Sequence, residues 1–189
     1  MEDQKIIIIT APSGAGKTSI THYLLKTIHQ LAFSISAATR EPRSHEKDKT
    51  DYYFMSEEEF RQKIQRNDFV EWEMVYEGKY YGTLNSELER IWTLGKVPLL
   101  DIDVKGAIHV RQQYSKNSLT IFVEPPSIEE LKQRLLSRGT ETQESLQARI
   151  NKATFELSFK NSFDKAIVND RLDRACKEAE ETVRDFLNA

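Results

Sequence analysis

Ala11-Pro-Ser-Gly-Ala-Gly-Lys-Thr18 follows an unbroken apolar run, Ile6-Ile-Ile-Ile9, and leads straight into a segment of helical periodicity, Lys17 to Leu31. A buried strand, a small-residue loop and a helix are the setting that a phosphate-binding loop needs. The small residues let consecutive backbone N–H groups turn inward as a nest for β-phosphate oxygens, beside the positive end of the helix. On that reading Lys17 reaches the β- and γ-phosphates and the Thr18 hydroxyl holds Mg²⁺. The stretch is read as a nucleoside-triphosphate site.

The 189 residues suit one domain with insertions, and 39% hydrophobic with 30% charged residues describes an ordinary globular chain. A net charge of −3 gives no electrostatic reason to expect nucleic-acid or membrane binding, so phosphate must be met by local basic clusters. The single cysteine, Cys176, excludes an intramolecular disulfide, and no Cys/His spacing suits zinc. With no signal-peptide pattern and no apolar run of spanning length, a reduced cytoplasmic location is expected.

Within Lys17–Leu31 the apolar residues Ile20, Tyr23, Leu24, Ile28 and Leu31 are spaced 3, 4, 4 and 3, which predicts an amphipathic helix. Phe33–Ala38 reads as a strand, Thr39–Asp51 as a polar loop, and Tyr52–Met55 as a short strand. Ser56-Glu-Glu-Glu59 has capping-box spacing and starts a helix to about Arg66. Phe69–Tyr76 and Lys79–Thr83 form strands about a turn at Gly78, and Ser86 opens a helix ending at Gly95. Val97–Asp103 is an apolar strand ending in two carboxylates; a short helix and the strand Leu119–Val123 follow. Ser127-Ile-Glu-Glu130 is a second capping box, and its helix is broken at Arg138-Gly-Thr-Glu-Thr142. Leu146, Ile150, Ala153 and Leu157 mark another helix, Phe163–Val168 a last strand, and Leu172 to Phe186 a terminal helix. Buried strands alternating with helices imply a parallel sheet covered on both faces. Ser34–Leu84 departs from that rhythm and is read as an inserted lobe; about Pro126–Lys152 is read as a second, mobile insertion.

Asp101 and Asp103 stand where an apolar strand runs out, the ligand edge of an open α/β sheet. A carboxylate there orients Mg²⁺ opposite Thr18, or is simply a strand-end turn residue. Arg40 and Arg43, three apart around Pro42, suit a bidentate phosphate clamp or a solvated face. Arg134, Arg138 and Arg149 flank the second insertion and are candidates for neutralising transferred charge, or helix-surface arginines. Glu71, between Val70 and Trp72, lies on the wet face of its strand or waits for donors. Tyr52, Tyr80 and Tyr81 are core residues or reach a ligand, with packing as the default assignment. The four histidines show no paired spacing, and no Ser/His/Asp or Cys/His nucleophile set can be assembled.

Taken in order, these segments resemble guanylate kinases along nearly the whole chain. The resemblance is carried by Ala11–Thr18, Ser36–Arg43, Asp51-Tyr-Tyr-Phe54, Phe69-Val-Glu-Trp72, Tyr80-Tyr-Gly-Thr83, Leu100-Asp-Ile-Asp103, Arg138–Thr142 and Ile167-Val-Asn-Asp170. It implies an α/β fold: a P-loop doubly wound parallel-sheet core (1–33, 96–125, 153–189), a small α+β GMP-binding lobe (34–84, with a connecting helix at 85–95) and a helical lid (126–152). The implied reaction is transfer of the ATP γ-phosphate to GMP, with Mg²⁺. The implied partners are ATP and GMP or dGMP, with no nucleic acid or membrane, in a monomer or homodimer. By the same resemblance Glu71 accepts the N1–H and 2-amino protons of guanine, Ser36 donates toward O6, Thr83 supports the pocket and Asp103 assists at the 2-amino group. Arg40, Arg43, Tyr52 and Tyr81 hold the GMP phosphate. Ala11, Pro12, Ser13, Gly14, Ala15, Gly16, Lys17 and Thr18 cradle ATP, Arg134 and Arg138 face it, and Asn169 lies near the adenine. Thr18 and Asp101 hold the metal, Asp101 directly or through water. Lys17, Arg40, Arg43, Arg138 and Arg149, the last arriving with lid closure, form the catalytic cation set.

The chain departs from the usual pattern at Ala11, where glycine is commoner, and at Ala37-Ala38, which replaces hydroxyl residues. His45 and Lys49 stand at positions often occupied by glycine, and Lys105 replaces a common glutamine. Two other readings compete: a related phosphotransferase acting on ribose 1,5-bisphosphate, and a silent scaffold domain that binds peptides. The first has no use for Glu71 with Ser36; the second typically loses the loop lysine and the acids present here.

Overall fold

Ile6–Ile9 are completely buried, which requires cover on both faces of their strand. The computed structural model describes residues 4–137 and 143–189 and supplies that cover. Strand β1 (Ile6–Thr10) lies at the centre of a five-stranded parallel sheet of order β2-β7-β1-β8-β9. Its neighbours are β7 (Val97–Asp101) and β8 (Ser118–Glu124); β2 (Leu31–Phe33) and β9 (Lys165–Val168) form the edges. Ile7 and Ile9 pack into one core with helices α1 (Lys17–Thr27) and α7 (Leu172–Asn188). Ile6 and Ile8 pack into the other, with Leu88 of α3 (Asn85–Thr93) and Val104, Ala107 and Val110 of α4 (Val104–Gln113).

A second, four-stranded sheet has the order β4-β3-β6-β5, built from β3 (Ala37–Ala38), β4 (Tyr53–Phe54), β5 (Phe69–Tyr76) and β6 (Lys79–Leu84). Its core is Phe60 of α2 (Glu57–Gln65), stacked on Phe69 at 4.3 Å, with Tyr80, Leu84 and Ala37. Ala37 and Ala38 are wholly buried, so small apolar side chains at these positions fit the packing. Helices α5 (Ile128–Leu136) and α6 (Gln143–Leu157) pack through Leu131, Leu135, Leu146 and Ala153. Both expected serine caps form: Ser56 accepts from the Glu59 N–H at 3.1 Å and Ser127 from the Glu130 N–H at 3.0 Å.

Several element boundaries differ from the periodicity reading. The first helix ends at Thr27, because Ile28 turns extended at φ −118°; Leu31 already belongs to β2. Ile28 and Leu31 remain in the same core as Leu24, so a chain that turns produced the spacing a helix would give. The expected strand Phe33–Ala38 is split, Phe33 ending β2 in one sheet and Ala37 starting β3 in the other. Residues 34–36 are the crossing between the sheets. The strand expected to reach Asp103 ends at Asp101; Asp103 instead caps α4, accepting from the Gly106 N–H at 2.8 Å. Ser86 lies inside α3, which begins at Asn85. No helix among the described residues is long and apolar enough to cross a membrane.

Ile8 has no exposed surface and faces the second of the two cores. Truncation there leaves a cavity, so Ile8→Ala is expected to lower unfolding free energy by about 2–5 kcal/mol in urea titrations, and a loss below about 1 kcal/mol would contradict two-sided burial.

Candidate active site

Helix α1 starts differently from α2 and α5. No side chain caps it, no acid lies in its first turn, and its N-cap is Gly16 in the left-handed region at φ 98°. Gly14 is also left-handed, at φ 93°. The helix start thus keeps its partial positive charge for an anion instead of giving it to a serine or carboxylate. A Cβ on Gly16 would run into the Asn169 amide, whose Nδ2 donates to the Ala15 carbonyl at 2.8 Å. Asn169, only 5% exposed, therefore braces the back of the loop. Ala11, Pro12, Ser13, Gly14, Gly16, Lys17 and Thr18 line a cleft of about 900 Å³, while Ala15 is fully buried beneath it.

Parallel pairing sets Ile9 opposite Asp101, so the strand ends that carry the loop and the acid lie side by side. Lys17 pairs with Asp101 and also donates to the Ile102 carbonyl at 3.2 Å. Asp101 thus serves first as the counter-ion of the loop lysine, a role sequence reasoning did not assign. Arg149, on α6, reaches the Ser13 hydroxyl at 3.2 Å. Arg134 holds Glu130 at 3.0 Å and donates to the Asn169 carbonyl at 2.9 Å, which ties α5 to the segment bracing the loop. Arg138 lies outside the described residues.

Across the cleft, Glu71 resolves its ambiguity: it is 6% exposed. It stands opposite Thr83 in the β5–β6 pairing and accepts the Thr83 hydroxyl at 2.7 Å. Its other oxygen approaches Gly106 so closely that a Cβ there would sit 2.6 Å from it. Burial pushes the Glu71 carboxyl up to about 7; the Thr83 hydrogen bond opposes the rise and Asp103 adds to it. Glu71, Ser36, Tyr52, Tyr81, Asp101 and Asp103 together line a pocket of about 230 Å³ that also reaches Lys17. Tyr80 points the other way along β6 and packs in the core of the second sheet, as strand alternation requires.

The two arginines of the polar loop behave differently. Arg43 lines the large cleft. Arg40 lies 4.8 Å from the Tyr52 ring and grips Glu46 with both terminal nitrogens, at 2.5 and 2.7 Å. That guanidinium and the Arg43 backbone N–H hold the Glu46 carboxyl down to about 2. Lys49 has φ 61°, so the left-handed turn that usually favours glycine is kept by a lysine.

Sequence reasoning missed several lining residues. His22, His45 and Glu46 border the cleft, and Lys152 with Glu156 projects into it from α6. The available signal was spacing: Arg149, Lys152 and Glu156 recur at i, i+3 and i+7, one face of a helix. Burial and Asp103 raise the Glu156 carboxyl, and Lys152, 3.8 Å away, opposes the rise.

An uncapped helix start thus faces a small polar pocket with a buried acid, and cations line the space between. Comparison with known proteins gives this arrangement a family. A guanylate kinase family model matches residues 3–186. The chain is 47% identical over 189 residues to a guanylate kinase of Salinibacter ruber, covering 100% of each chain. It is 47% identical over 184 residues to one of Bacteroides thetaiotaomicron, covering 97% of this chain and 90% of that one. The crystal structure of guanylate kinase from Anaplasma phagocytophilum matches with TM-score 0.78 at 29% identity, covering 98% of this chain and 87% of that one. A shikimate kinase from Bacteroides thetaiotaomicron, 13% identical with TM-score 0.52, shares the fold alone. The chain belongs to the guanylate kinase family.

Proposed function

We propose that the chain transfers the γ-phosphate of ATP to GMP, and to dGMP, giving ADP and GDP or dGDP. The observation that carries this reading is Glu71: a buried carboxylate with one oxygen on Thr83, lining a pocket that also reaches Lys17. Guanine presents two donors, N1–H and the 2-amino group, to such an acceptor, with Ser36 at the same pocket for O6. Adenine presents a lone pair at N1 and would leave the carboxylate unpaired, a mismatch that discriminates by about 10⁴. A sugar bisphosphate gives Glu71 nothing to accept, which disfavours the ribose 1,5-bisphosphate reading. The intact Lys17, Thr18, Asp101 and Asp103 disfavour a silent scaffold.

In this reading the acceptor oxygen needs no general base, since a phosphate with a second pKa of about 6 is already mostly dianionic at neutral pH. The work of the site is to bring two anions into line and screen their repulsion. Lys17 exchanges Asp101 for the donor phosphates at the uncapped start of α1. Arg43, with Tyr52 and Tyr81, receives the acceptor phosphate, Arg40 backing them through Glu46. Arg149 approaches from α6, and Arg138 is assigned to the same cation set by the family resemblance alone. Asn169 and Arg134 shape the donor side. Thr18 and Asp101 supply a hydroxyl and a carboxylate to Mg²⁺, which when bound neutralises phosphate charge; this sparse oxygen set fits an ion that keeps waters and substrate oxygens. Residues 34–84 act as the acceptor lobe and 126–152 as the lid over a core of 1–33, 96–125 and 153–189, with α6 crossing the boundary. The enzyme acts on free nucleotides in the cytoplasm, as a monomer or homodimer.

ADP release measured with GMP, dGMP, AMP, UMP and ribose 1,5-bisphosphate in turn is expected to favour the two guanine nucleotides; preference for any other acceptor overturns the reading. Glu71→Ala is expected to lower kcat/KM for GMP by about 10³ or more while KM for ATP stays within about twofold. Comparable GMP turnover in the variant would remove the carboxylate from recognition.

Glu71 also links stability to pH. Its folded carboxyl is raised from 4.5 to about 7, so between those values the native state holds more protons than the unfolded one. Stability therefore falls as pH rises through this window, by about 3 kcal/mol in all. Glu71→Gln retains the acceptor for Thr83 and removes the ionisation. In urea titrations the variant is expected to gain on the parent chain between pH 5 and pH 8, and a pH-independent difference would contradict the raised carboxyl.

A further inference from the structure

We propose that Glu87 is a positioning residue for the acceptor pocket: from α3 it fixes the chain segments that carry Ser36 and Tyr52. This rests on the reading of that pocket given above. The Glu87 side chain has no exposed surface and does not line the pocket. Each of its oxygens takes two donors. One accepts the Ile35 backbone N–H at 2.9 Å and Arg90 Nη2 at 2.8 Å. The other accepts the Tyr53 hydroxyl at 2.7 Å and Arg90 Nε at 2.9 Å.

Ile35 precedes Ser36 in the crossing between the two sheets, and Tyr53 follows Tyr52 at the start of β4. The Tyr53 N–H donates to the Ser36 carbonyl at 2.9 Å, so the two held segments are also bonded to each other. Helix α3 itself follows β6, the strand of Tyr81 and Thr83, and its Leu88 is buried in the core beneath β1. One carboxylate thus joins three segments that carry pocket residues, and joins them to the body that carries Lys17.

Packing alone does not call for such a group. Arg90 is half-exposed, so its ion pair with Glu87 contributes little net stability beside the cost of burying the carboxylate. What four directed hydrogen bonds add is geometry: Ser36 and Tyr52 are set where a displacement of about 1 Å can cost about 10²-fold in rate. Tyr53 and Ile35 transmit the constraint without touching the pocket.

The test compares the parent chain with Tyr53→Phe, Glu87→Gln and the double variant Glu87→Met/Arg90→Met, each in steady-state kinetics, GMP-binding calorimetry and urea unfolding. Tyr53→Phe deletes one hydroxyl and keeps the carboxylate, so it remains informative if the others fail to fold. Tyr53→Phe is expected to raise the dissociation constant and KM for GMP by about threefold or more, and Glu87→Gln and the double variant by about tenfold or more. KM for ATP should stay within about twofold, and urea unfolding should show each assayed variant folded, the double variant with a lowered midpoint because Ile35 and Tyr53 lose their acceptor. GMP constants unchanged in folded variants overturn the proposal, as does an equal rise in KM for ATP, which would mark a general loosening. If the parent chain itself neither binds nor phosphorylates GMP, the reading of the pocket fails first and the proposal falls with it.

Discussion

Two parallel strands that end at the same level, β1 and β7, set everything else at this site. Their pairing, Ile9 against Asp101, brings the glycine-containing loop after β1 and an acid from far along the chain to one edge of the sheet. A parallel sheet delivers all its strand ends to one side, and a loop that turns from strand into helix there presents backbone N–H groups outward. The fully buried isoleucines make this register hard to shift, because each is matched to a core on its own face.

The protein supplies its own counter-ions at this edge. Lys17 lies on Asp101, Arg40 on Glu46, and Lys152 near Glu156. Each cation is thereby held in place by an acid of the same chain, which is preorganisation in the sense that the charge needs little further ordering. The arrangement also explains how a chain of net charge −3 can bind two polyanions: the relevant field is local, made of short ion pairs and a helix terminus.

Two buried glutamates show opposite uses of the same side chain. Glu87 has all its hydrogen bonds made within the protein, which fixes geometry. Glu71 has a hydroxyl on one oxygen and a close glycine beside the other, and burial raises its carboxyl to about 7. A buried acid left short of donors is costly, and that cost becomes selectivity when the missing donors belong to a ligand.

Local chemistry determined much of this from the sequence alone. The run Ile6–Ile9 had to be a strand covered on both faces, the small residues before Lys17 had to turn from strand into helix, and Ser56 and Ser127 had to start helices. These depend on interactions within a few residues, which a linear pattern records. Tertiary structure decided what a linear pattern cannot carry. Whether Glu71 faced water or the interior depended on β6 and α4 closing over it, and strand alternation is silent on which face is covered. That Leu31 leaves the helix and joins β2, and that residues 34–36 pass between two sheets, followed from pairing with β7 and β6. The Lys17–Asp101 pair and the Ile35 and Tyr53 donors to Glu87 followed from the fold too, because these groups are far apart along the chain and only the packed sheets and helices bring them within reach.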